Sequence, residues 1–408
     1  MAVAFLAVLF WSITSAAILH HYRRDLQRFW SEPVFRFPVL VLESDDWGAG
    51  PTRQAHALNR LAEILGQHRD AVGRQPIFNL AIVLAVPDCV DWAATGTYSR
   101  LRLDHPQFSS IVAALEVGRA RGVFAYQLHG LEHFWPLAIV QSQDPVVRSW
   151  CQGSDIPLTE LLPSHLQSRW VDATTLPSRA HSDSDIASAV AEEVGAYKIL
   201  FPGSAPVVVP PTFVWSTQVE SAWSANGITT IVTPGIRYTC RLADGGAGGI
   251  EGPFVNGQQA GQVIYVVRTD YFEPRKGRGA QHALRALDRD VALGRPCILE
   301  NHRDNFCGDD ALREHSEAEL DGLLHGALAN HPTLRFLTTW ELSQILRVRD
   351  SQWLVRDWRS CLPVFWLRVC NSGRLWKLLR LTGLSIIGLL IVKAFGRPAS
   401  ATSAAIAA

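Results

Sequence analysis

Stretches of near-continuous apolar sequence, each the length of a β-strand, recur through the middle of the chain, and segments of helical periodicity separate them. The apolar runs are 38–43 (PVLVLE), 76–86 (PIFNLAIVLAV), 123–128 (VFAYQL), 206–215, 228–233 (ITTIVT), 263–269 (VIYVVRT), 296–300 (PCILE) and 334–338. Helical periodicity marks 53–68, 108–121, 183–200, 216–226, 279–293 and 314–330. A strand that is apolar on both sides must be covered on both faces, and the intervening helices supply the cover, so a parallel sheet is indicated. With seven or eight such units the expected fold class is α/β, with a (β/α) barrel favoured over an open sheet, although the pattern alone does not separate the two. The segment 140–180, rich in Pro, Ser and Asp, reads as a long inserted loop. The Gly-rich tract 243–261 (ADGGAGGIEGPFVNGQQAG) lacks the GxxxxGK[ST] pattern and reads as a flexible loop or hairpin, not a phosphate cradle.

Both ends of the chain carry uncharged apolar runs. Residues 2–19 (AVAFLAVLFWSITSAAIL) reach roughly 27 Å as a helix, enough for a bilayer core. A cleaved signal peptide competes with this reading, but no basic segment precedes the run, and Arg23, Arg24 and Arg28 follow it. Residues 381–392 (LTGLSIIGLLIV) are short for a span and are bracketed by Lys377, Arg380 and Lys393, which fits a marginal span or an interfacial helix. Trp353, Trp358, Trp366 and Trp376 fit an interfacial belt. The expected organisation is a transmembrane anchor at 1–22, a barrel at 34–348, and a Trp-rich juxtamembrane stretch with a hydrophobic segment at 349–408. Positive charge on the body side places the body on the cytoplasmic face of the membrane.

Lys+Arg and Asp+Glu balance at 38 each among 408 residues, which removes a basic nucleic-acid surface from consideration. The seven cysteines are odd in number and scattered, with no CxxC pair, so neither a disulfide framework nor a thiolate zinc site is expected. Unpaired thiols also favour a reducing compartment.

In a parallel barrel the chemistry collects where strands end. The first strand runs into Glu43-Ser44-Asp45-Asp46-Trp47-Gly48, the third into His129-Gly130-Leu131-Glu132-His133, and a late one into Glu300-Asn301-His302-Arg303-Asp304-Asn305. Histidines at i and i+4 share one face of a helical turn and reach a single metal ion; a carboxylate from another strand completes a two-His-one-carboxylate set with open positions. Asp45 and Asp46 are adjacent and point differently, so one can ligate while its neighbour stays free as a base.

The order of these motifs, Asp-Asp, then His-x-x-x-His, then a late His, resembles that of the polysaccharide deacetylases of the glycoside hydrolase/deacetylase barrel superfamily. ESDDWG, HGLEH and NHRDNF together look like a deacetylase-like branch of it, covering about residues 36–346. The resemblance implies that Asp45 is the general base, that Asp46, His129 and His133 are ligands to one divalent ion, Zn²⁺ by family habit, and that His302 is the general acid. It implies an irregular (β/α)7-type barrel and removal of acetyl groups from a glycan or glycolipid. Pro210-Pro211-Thr212-Phe213 sits where the family has an Arg-x-Pro-aromatic groove motif, without the arginine. The Asp-x-x-Asp-Trp motif that orients the base or acid has no counterpart, and Glu300 replaces an apolar residue two before the last histidine. Trp47, Trp135, Phe213, Trp215 and Arg303 are the candidate substrate contacts.

Three other readings compete. HGLEH matches the H-x-x-E-H zinc-peptidase pattern, with Glu132 activating water, although that chemistry needs the motif on a long helix. A glycoside hydrolase would use Asp45 with a second carboxylate on the same barrel. A catalytically silent, membrane-tethered glycan-binding protein would keep the barrel alone.

Overall fold

The computed structural model describes residues 1–151 and 156–397. The described residues divide into two compact units: those within 1–39, 287–296 and 348–397 form one, those within 40–286 and 297–347 the other, and the last residues of the expected 349–408 segment lie outside the described ones.

The larger unit is built on a curled, barrel-like sheet. Its strands are β1 (Val39–Gly48), β2 (Phe78–Val83), β3 (Phe124–Leu128), β4 (Val207–Val208), β5 (Thr230–Thr233), β6 (Val263–Val267), β7 (Asp270–Tyr271) and β8 (Cys297–His302). They lie in the order β6-β5-β4-β3-β2-β1-β8-β7, and every one of these neighbours is parallel. Only Arg268 and Thr269 separate β6 from β7. There the chain transfers its hydrogen bonds from β5 to β8, Arg268 N–H donating to Thr233 O and Thr269 N–H to Ile298 O, each at 2.9 Å. All ten residues of β1 and all six of β2 are buried, as their apolar runs require. Helix Gln54–Gln67 buries Ala57, Leu58, Leu61, Ala62 and Leu65 on one stripe.

Several expectations are adjusted. The run at 334–338 contributes only Arg335–Phe336, beside β1, and 206–215 contributes only Val207–Val208. Beyond β4 the chain is forced off strand geometry, with Thr212 (φ 52°) and Phe213 (φ 56°) in the left-handed region. The Gly-rich tract forms hairpins, pairing Cys240–Arg241 with Ala247–Gly248 and Gln259–Ala260 with the start of β6. The insert carries short helical turns whose Val147, Leu162 and Leu166 bury against Phe134, Ala138 and Ile139.

The expectation of unpaired cysteines is corrected at one pair: Cys89 and Cys151 form a disulfide, with Cα atoms 5.4 Å apart. Sequence spacing hid it because the partners are 62 residues apart and only folding of the insert brings them together. Cytoplasmic placement of the body loses its cysteine support and rests on Arg23, Arg24 and Arg28.

The smaller unit carries the apolar ends. Val3–His21 is one helix long and apolar enough to cross a membrane, with mean hydropathy 2.0 and almost no burial. Residues 381–392 fall across two helices, Arg374–Leu381 and Leu384–Phe395, bent by 95°. Leu375 and Leu379 pack against Ile18, Tyr22, Leu26 and Phe29, and Trp11 Nε1–H donates to Thr382 O at 2.7 Å.

Candidate metal centre

The mouth of the sheet is shaped by an irregularity in β1. Against β2, Ser44 pairs with Leu80 and Trp47 with Ile82, so three steps on one strand span two on the other, which is a β-bulge. Asp46 occupies it with φ 72°. On a regular strand adjacent side chains face opposite sides; the bulge lets both Asp45 and Asp46 reach the same cavity. Gly48, at φ 111°, follows where any Cβ would sit 2.4 Å from Val83 O.

His129 and His133 also meet here, with ring centroids 4.8 Å apart, but not on a helical turn. The chain leaves β3 and bends at Gly130 (φ 94°), where a Cβ would lie 2.7 Å from Glu132 O. The Nε2 atoms of both histidines lie 3.4 Å from Asp46 Oδ1. Three donors around a tetrahedral ion with bonds of about 2.1 Å are separated by about 3.4 Å, so the spacing fits. His129 Nδ1–H donates to Val209 O at 2.7 Å, which fixes the tautomer that leaves Nε2 as a ligand. Burial, aided by the charge of His129, pulls His133 down to about 4 against the pull of Asp46, so its ring is neutral and able to ligate. Burial opposes ionisation of Asp46, yet the two histidines hold it well below the usual carboxylate range.

Asp45 and His302 flank this set on neighbouring strands, paired across β1 and β8. Arg268 grips Asp45 through both nitrogens of its fork, Nη1 to Oδ2 and Nη2 to Oδ1, each at 2.6 Å. Burial works against the Asp45 carboxylate, but the charge and hydrogen bonds of Arg268 keep it below its ordinary value. His302 Nδ1 binds Glu273 Oε1 at 2.5 Å, and Asn305 Nδ2–H donates to Glu273 Oε2 at 2.6 Å. Burial disfavours the imidazolium, but the Glu273 bond and the charges of Asp46, Asp45 and Glu300 raise His302 to about 10.

The five groups open onto a cavity of about 320 Å³, with Phe213 on one wall. Pro210 and Thr212 stand beside Phe213, and Glu160 and Gln167 of the insert, with Lys276 and Asp304, complete it. Among the expected substrate contacts only Phe213 lines this cavity. Trp47 is fully buried and its Nε1–H donates to Ser44 Oγ at 2.8 Å. Trp215 is fully buried as well, donating to Glu220 Oε2 at 3.3 Å. Trp135 packs on His181 with ring centroids 4.1 Å apart, and Arg303 is buried in a two-pronged pair with Glu160 at 2.8 and 3.0 Å. Arg303 therefore fastens a wall of the cavity instead of facing into it. Glu132 is fully buried between Arg169 and Arg100, at 2.9 and 2.8 Å, and does not line the cavity, which removes the water-activating role of the peptidase reading.

Sequence reasoning missed Arg268, Glu273 and Glu43. Arg268 had a signal, being the first charge at the end of an apolar strand run; so had Glu43, a carboxylate inside one. Glu273 sits in a loop, where nothing in the local pattern marks it.

No family model matches the chain, and no curated protein matches it. Among solved structures it is similar to a 4-alpha-glucanotransferase from Thermococcus litoralis, at 9% identity and TM-score 0.40, over 86% of this chain and 48% of that one. It thus spans about half the length of that enzyme. It is also similar to a family 4 carbohydrate esterase from Streptomyces lividans in complex with acetate, at 11% identity and TM-score 0.32, over 73% of this chain and 90% of that one.

Proposed function

We propose that the protein is a metal-dependent hydrolase that removes N- or O-acetyl groups from a glycan, on a (β/α)7-type barrel in which β6 and β7 count as one interrupted strand. The observation that carries this reading is the convergence of Asp46, His129 and His133 beside an aspartate and a histidine that are each held by a partner of opposite charge. One divalent ion suits this donor set, Zn²⁺ by its affinity for two imidazoles and a carboxylate, and when bound it supplies a Lewis acid that brings the pKa of water towards about 7. Asp45 takes the proton of the attacking water, since Arg268 keeps it ionised and oriented. His302, protonated through Glu273, returns a proton to the departing amine or hydroxyl as the bond to the acetyl carbon breaks. Phe213, whose ring lies against the Arg268 guanidinium, supplies an apolar wall for the sugar. The apolar helix Ala2–His21 anchors the chain, so a membrane-bound or lipid-linked saccharide is the fitting substrate.

Elemental analysis and activity on a panel of N-acetylated oligosaccharides and lipid-linked saccharides test the reading. The wild type should carry one ion, lost in His129→Ala and His133→Ala and weakened in Asp46→Asn. Asp45→Asn should keep the ion and lose rate on the order of 10²–10⁴-fold. A metal-free wild type under replete conditions would refute the proposal.

A further inference from the structure

Beside the three metal-ligand candidates lies a second set with ligand spacing. Asp45, Glu300 and His302 each offer an atom, all within 4.8 Å of one another. The two sets are joined through the Asp45–Asp46 peptide bond. Hydrolases with two ions hold them about 3.5–4 Å apart between such adjoining sets, so the second set has the form of a second cation position.

A cation already reaches into it. Besides gripping Asp45 with both prongs, Arg268 brings Nη1 to 3.3 Å from Glu300 Oε2. Its other edge is held from beneath by Glu43, which accepts from Nη2 at 2.9 Å and from Nε at 3.3 Å. Glu43 is fixed in turn by Gln127 Nε2–H at 3.0 Å and by the hydroxyl of Thr339. None of these charged side chains is more than 7% exposed. Three buried carboxylates surround one buried guanidinium, where unpaired charge is costly.

The sequence positions explain the arrangement. Glu43 and Glu300 are register partners across β1 and β8, one layer below the register pair Asp45 and His302. Residues two apart on a strand share a face, so each glutamate lies under one member of the acid–base pair. Glu300 is also where the family resemblance expects an apolar side chain. Both departures from an apolar strand are accounted for by the same guanidinium.

We propose that Arg268 is a fixed cation filling a second cation position between Asp45, Glu300 and His302, clamped there by Glu43 and Glu300, so that the centre takes a single metal ion and Asp45 stays in place as the base. The proposal rests on the hydrolase reading above. Glu43 is then a positioning residue acting through Arg268, and the planar fork of arginine is needed because a lysine ammonium cannot bind both oxygens of Asp45 while spanning to two further carboxylates.

Metal stoichiometry tests it without reference to turnover. With Zn²⁺ as the probe, dialysed wild type should hold one ion per chain and Arg268→Ala two, the second bound through the released Asp45, Glu300 and His302. Arg268→Lys keeps a positive charge and should stay at one ion while kcat falls about 10–100-fold. Glu43→Gln should also hold one ion, with kcat lowered about 10–100-fold at unchanged KM. A folded Arg268→Ala that binds one ion, or a Glu43→Gln with wild-type kcat, overturns the proposal, and the latter two variants decide it if Arg268→Ala does not fold. A wild type without metal removes the hydrolase reading and this proposal together, whereas one ion in both wild type and Arg268→Ala removes only this proposal.

Discussion

Replacing Glu273 by Gln removes the partner that contributes most to keeping His302 protonated, and the consequence can be worked from the geometry. His302 stands at about 10 against an ordinary value of 6.5, with Glu273 2.5 Å from its Nδ1. At pH 8 a group at about 10 is about 99% protonated, and one at about 6.5 only about 3%. Complete loss of the shift would therefore cost about 30-fold in the acid-dependent rate at pH 8. Asp45, Asp46 and Glu300 still raise His302 in the variant, so its alkaline limb should fall between pH 6.5 and 10 and the loss at pH 8 should be below that ceiling. Below pH 6 the variant and the wild type should converge, because the acid is protonated in both. The sign for stability is the same. A raised pKa stabilises the fold fully below the ordinary value and loses that contribution as pH rises through the raised one. Unfolding of the metal-free protein should thus become easier between about pH 6.5 and pH 10, and less steeply so in Glu273→Gln. The assays are pH–rate profiles with an N-acetylated oligosaccharide and NMR titration of the His302 ring in metal-free protein. An alkaline limb and a ring titration that both stay at the wild-type position in Glu273→Gln would refute the reasoning.

The disulfide between Cys89 and Cys151 closes a loop with a separation of 62 residues, for which chain entropy gives about 4 kcal/mol. Cys89→Ser should lower the stability of the purified protein by up to that amount in urea unfolding, and in cells both thiols should label only after reduction; recovery of both as free thiols would refute the pairing. Phe213→Ala should raise KM for glycan and also lower the melting temperature, since Phe213 lines the cavity and packs on Val207, Val209 and Val232. Trp47→Phe should lower the melting temperature by removing the buried indole donor to Ser44 Oγ, which keeps only its bond to Asn301 Oδ1, while leaving KM alone.

Much of the site was legible because strand ends and chemistry coincide in a parallel sheet. The three motifs at the C-terminal ends of β1, β3 and β8 do meet, since each lies at the same end of its strand. What failed was side-chain direction. Trp47 and Trp215 sit within two residues of groove positions, and a step along the chain turns a large aromatic ring into the core, where apolar burial holds it. The histidine pair met by a bend at Gly130, although its spacing suggested a helix; spacing records which residues can meet but not the backbone that brings them together. Glu273 was invisible because its contact with His302 joins residues 29 apart, and no periodic signal spans that interval.

The bulge at Asp46 gives two identical side chains different surroundings, and it does so through the backbone. Without the extra residue, one of the aspartates would turn toward the helical layer and the pair would be no more than a rim of negative charge. The left-handed conformation at Asp46 is one that asparagine, and few other residues, accepts at low cost. Substitutions at this position therefore test two things at once: asparagine removes charge while sparing the chain, whereas a β-branched residue deforms the strand even where its side chain would fit. A one-residue deletion between Ser44 and Trp47 would restore regular pairing and, in doing so, dismantle the centre without removing any ligand type from the molecule.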